Sequence, residues 1–194
     1  MIHVATDLHR VPFAAIAPDR DAVLELQGVP RGAPLSPRIE ELRESANEVL
    51  GRVARPVGIV QGIGHAEFAA IYVGEGRNEV RTPVGDIHPR AEALALFAVT
   101  LGAAIGREIE ARFAANDLAL GAMLDAAASV AADNLAAAVE ARWAAGLDER
   151  AGGSRGGRPA EPPGDRRGDR IGDRPGARPG EPLAVLRYSP GYCG

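Results

Sequence analysis

The chain has 194 residues, 46% of them hydrophobic but only 4% aromatic, so a single domain's core must be built from Ala, Leu, Val and Ile. All 22 basic residues are arginine. The lack of lysine excludes a P-loop phosphate site and any Schiff-base or pyridoxal chemistry. Residues 1–150 carry 21 acids against 14 arginines, a net −7, which argues against nucleic acid as the main partner because phosphate contacts need clustered cations.

Cys193 is the lone cysteine and can make no internal disulfide, which fits a reducing compartment. No uninterrupted apolar run is expected to reach the roughly 20 residues of a bilayer span, and the N-terminus lacks a signal-peptide pattern. A cytoplasmic protein with neither a nucleic-acid nor a membrane partner is the resulting expectation.

In chain order, residues 19–28 read as a short helix closed by Gly28. Gly32, Pro34 and Pro37 mark a turn. Ser36 as N-cap and Pro37 at the first helical position then open a helix, with Ile39, Leu42, Ala46, Val49 and Leu50 at three- and four-residue spacing. Arg55-Pro56 ends it. Val57–Val60 and Phe68–Val73 are expected to be two short strands around a glycine-containing loop, 61–67. Ala91–Thr100 is a nearly continuous apolar run that periodicity alone leaves between strand and helix. Strand is the preferred reading, because Thr100-Leu101-Gly102 suits a strand-to-helix transition.

Leu101, Ile105, Ile109 and Phe113 form an apolar stripe on the following helix. Asn116 or Asp117 can cap the longest helix, about 118–145. Its buried ridge is expected to be Leu120, Leu124, Ala128, Ala131, Leu135 and Val139. Beside the ridge run Asp125, Ser129, Asp133 and, a heptad beyond, Glu140. Such a row is ordinarily a solvated helix face; a carboxylate facing a cationic ligand is the functional alternative, and spacing does not choose between them.

Residues 151–182 hold 9 Gly and 6 Pro among 32. They cannot bury enough apolar surface to offset their ordering entropy and are read as a disordered Gly/Pro/Arg-rich insertion within one domain spanning 1–194. An RNA-binding Arg-Gly tail is the competing view, disfavoured by a net charge of only +2. Leu183–Tyr188 beyond it again reads as a strand.

Several motifs fail. Gly62-Ile63-Gly64 is followed by Glu67 where the dinucleotide pattern needs its third glycine, so a hairpin loop is expected instead. His3, His9, His65 and His88 lack metal-ligand spacing. No serine sits in G-x-S-x-G, and Cys193 has no histidine near it in sequence. Neither a catalytic residue nor a metal ligand is assigned.

The chain closes on Arg187-Tyr188-Ser189-Pro190-Gly191-Tyr192-Cys193-Gly194. An arginine fork, an unobstructed glycine turn and a hydroxylated aromatic ring form a compact recognition device. This Arg-x-x-x-Gly-Tyr pattern resembles the signature of the activation domain of cobalamin-dependent methionine synthase. Phe97-Ala98-Val99-Thr100-Leu101-Gly102 is similar to that family's Phe-Ala-Val-Thr-x-Gly. Val57–Val60 through Val73 resembles its paired strands, and Leu124-Asp125-Ala126 onward to Trp143 resembles its long helix. The likeness covers about residues 36–145 and 183–194.

The resemblance implies an α+β fold: a twisted, mainly antiparallel sheet flanked by helices. It implies an accessory domain that binds S-adenosylmethionine and serves reductive reactivation of a corrinoid methyltransferase. The partner methyltransferase would hold the cobalamin, and an external electron donor would supply the reduction. Arg187 would grip the ligand's carboxylate, Gly191 would let the backbone come close, and Tyr192 would line the site. Asp133 matches a family glutamate and would pair with the ligand's ammonium or sulfonium charge; Asp125 and Thr100 are read as structural. Family members continue past Gly-Tyr, so a C-terminally truncated member is expected. The alternative is a non-catalytic protein-interaction domain that has lost ligand binding through truncation.

Overall fold

The computed structural model describes residues 6–71 and 91–153. Among these residues it is an α+β protein, with five α-helices and one three-stranded antiparallel sheet. The strands are β1 (Thr6–Arg10), β2 (Val57–Ile63) and β3 (Leu94–Thr100), with β2 in the middle. The helices are α1 (Arg20–Leu26), α2 (Pro37–Val53), α3 (His65–Ile71), α4 (Ala103–Ala114) and α5 (Leu118–Gly153).

Local sequence explains most boundaries. Asp19 accepts the Ala22 N–H at 3.0 Å and starts α1, while Gly28 takes φ +77° just past its end. Arg20 then links α1 to α2 through Glu40, whose carboxyl is held below its ordinary range by Arg20 and next by Arg43. The α4–α5 corner closes as a Schellman turn. Asn116, at φ 59°, donates to Phe113 O, and the N–H of Asp117 reaches Arg112 O at 2.9 Å. Asp117 therefore directly precedes α5, and its carbonyl accepts the Gly121 N–H.

Two strand expectations need correction. Residues 65–71 are helical, not the start of a second strand, and β2 runs on to Ile63 where a loop was expected from residue 61. The reason is a capping arrangement. Glu67 Oε2 accepts the Gly64 N–H at 3.1 Å while Gly64 O accepts the Phe68 N–H at 2.8 Å, so the glycine-rich turn launches a helix. Residues 72 and 73 of that expected strand lie outside the described residues. The preferred strand reading of 91–100 holds over Leu94–Thr100. There the Thr100 hydroxyl accepts the Gly102 N–H at 3.0 Å, and Gly102 at φ +88° turns the chain into α4.

The long helix was expected to stop near 145 but continues to Gly153, three residues into the segment read as an insertion. The rest of that segment, and Leu183–Tyr188, lie outside the described residues. Against the expectation from uninterrupted runs, α5 is long and apolar enough over Leu118–Leu147 to cross a membrane by length and composition. Packing accounts for that apolarity. The helix touches α1, α2, α4, β2 and β3, so its apolar positions are covered on several sides.

Leu124, Ala131, Leu135 and Val139 of its expected ridge are fully buried, and Ile16, Val23, Ala46 and Leu50 pack into the same core. α5 lies very close to the sheet: a Cβ on Gly58 would fall 2.4 Å from Val139 Cγ2. Only glycine at this second position of β2 lets the helix sit there. From its other flank, Asn134 donates to Ile16 O and Ala17 O at 3.3 and 3.1 Å, fixing the loop before α1.

Candidate functional site

Of the four site residues expected from the sequence, Asp133 is described; Arg187, Gly191 and Tyr192 lie outside the described residues. Asp133 is exposed on α5. It is two residues from the fully buried Leu135 and hence about 200° round the helix from it. Asp125 and Ser129 are exposed on the same stripe, and Ser129 Oγ donates to Asp125 O at 3.0 Å. The stripe is therefore a solvent-facing row in which Asp133 has no hydrogen bond or ion pair among the described residues. Its carboxylate is free to meet a cation.

A second group of polar side chains is assembled by the sheet itself. In an antiparallel ladder, directly opposite residues project to the same face. Asp7 is opposite Val60 and His9 opposite Gly58, so both stand on the face that α5 covers. On the same face β2 and β3 contribute Gly58, Val60, Ala95, Phe97 and Val99, all small or apolar. Leu8, between the two polar residues, projects to the opposite face and is 59% exposed. β1 thus puts two polar side chains, Asp7 and His9, on the helix side, while Leu8 faces outward with Thr6 and Arg10.

Contact between Gly58 and Val139 seats α5 against β2. The next turns of the helix, carrying Arg142, Trp143, Gly146 and Leu147, then line an open pocket with Asp7 and His9. It is a small, open depression with a volume of about 40 Å³. Arg142 Nη1 donates to Arg10 O across a long 3.5 Å and keeps its remaining N–H groups available. No ion pair joins Arg142 to Asp7, and the Asp7 and His9 side chains have no hydrogen bond among the described residues. Trp143 is half-buried, packed on the core with one side toward the pocket.

The sequence reading gives Asp7 and Arg142 no role, sets His9 aside as a metal ligand, and uses Trp143 only to mark the resembling helix. Thr6-Asp7-Leu8-His9-Arg10 reads as a strand whose leucine points inward, the reverse of what the sheet imposes. Gly146, seven residues after Val139, was the available sign that α5 leaves a gap there.

No protein-family model matches this chain, and no curated protein matches it.

Proposed function

We propose that this chain is an S-adenosylmethionine-binding accessory domain for reductive reactivation of a cobalamin-dependent methyltransferase, of the methionine synthase activation-domain kind. The observation that carries the reading is a pair of distant motifs, Phe97-Ala98-Val99-Thr100-Leu101-Gly102 and Arg187-x-x-x-Gly191-Tyr192. The first of them occupies an antiparallel strand and its glycine-bent exit into a helix. The α+β class and the long helix carrying an unpaired Asp133 agree with it.

In this reading Arg187 holds the ligand carboxylate with two parallel N–H···O bonds. Gly191 admits the backbone to close range, Tyr192 covers one side, and Asp133 faces the ammonium or sulfonium charge. When bound, S-adenosylmethionine supplies a methyl group to cobalt held by the partner methyltransferase, after an external donor delivers one electron to that cobalt; the thioether is left behind. The domain's own residues bind and orient, and the location is cytoplasmic.

Titration calorimetry with S-adenosylmethionine tests the assignment. Arg187→Ala should lose about 2–3 kcal/mol of binding, the worth of a charged bidentate contact. Asp133→Asn should weaken binding with the fold unchanged. Equal affinity in the native protein and Arg187→Ala would remove Arg187 from the site. A second reading, an interaction domain without ligand, is favoured by one observation: among the described residues, Leu8, Ile59 and Leu96 leave an apolar patch open on the outer face of the sheet. It predicts no binding heat in any of the three proteins.

A further inference from the structure

We draw no further inference here: the strongest candidate, the open apolar face of the sheet around Leu8, Ile59 and Leu96, carries none, because nothing among the described residues shows what covers it.

Discussion

The two faces of the three-stranded sheet obey different rules. On the face under α5, Val60 is 4% exposed, and Gly58 has no side chain because Val139 occupies the space. On the other face, Leu8, Ile59 and Leu96 are 59%, 40% and 43% exposed, and no described element covers them. The alternation of a strand normally assigns apolar side chains to the covered side. Here β3 and β2 place apolar residues on both sides, and β1 places Asp7 and His9 on the covered side and Leu8 on the open one. Face assignment was set by where α5 could approach most closely, at Gly58, and the rest of each strand followed from the period of two.

The largest effect that sharpens this comparison should come from the covered side. Leu135→Ala empties a fully buried position of α5 and should cost about 2–5 kcal/mol in chemical denaturation, with the spread set by how far the core relaxes. A loss under about 1 kcal/mol would mean that α5 is not the central packing element.

Gly58→Ala should cost somewhat less, about 1–3 kcal/mol, because its Cβ meets Val139 and pushes the helix off the sheet. Gly58→Ala combined with Val139→Ala should recover part of what the two single changes lose when simply added. Strict additivity would break the claim that these two residues set the helix-to-sheet distance.

The outer face should respond least. Ile59→Thr keeps a β-branched side chain at a position 40% exposed and should change stability by no more than about 0.5 kcal/mol. A much larger loss would show that some part of the chain or another molecule buries that residue in solution.

These contrasts also show what the sequence could disclose. The signals of α1, α2, β3 and the ridge of α5 were local: Asp19, Pro37 opening α2 after Ser36 (whose side chain makes no capping bond), a Thr-x-Gly exit, and Leu124, Leu135 and Val139 in helical register. Each sits beside the physical cause of its element, so each was legible. The helix at 65–71 was missed because its cause, the Glu67 carboxylate accepting the Gly64 N–H, is hidden inside a glycine pattern that also suits a hairpin. Strand β1 is held by its ladder to β2, nearly fifty residues away in sequence, so Thr6–Arg10 alone carried little sign of it. The polar pocket under α5 was illegible for the same reason: it exists only once the register fixes which way Asp7 and His9 point. The sequence offered two carriers of the site proposed for S-adenosylmethionine, the terminal motif and Asp133, and Asp133 does stand exposed and unpaired on its helix.

The most direct measurement of the central claim is the thermal unfolding of the intact chain with and without S-adenosylmethionine. At about 100 times its dissociation constant the ligand should add about 2.7 kcal/mol of stability to the native protein, and Arg187→Ala should gain far less at the same concentration. Identical unfolding curves for the native protein with and without the ligand would contradict the account.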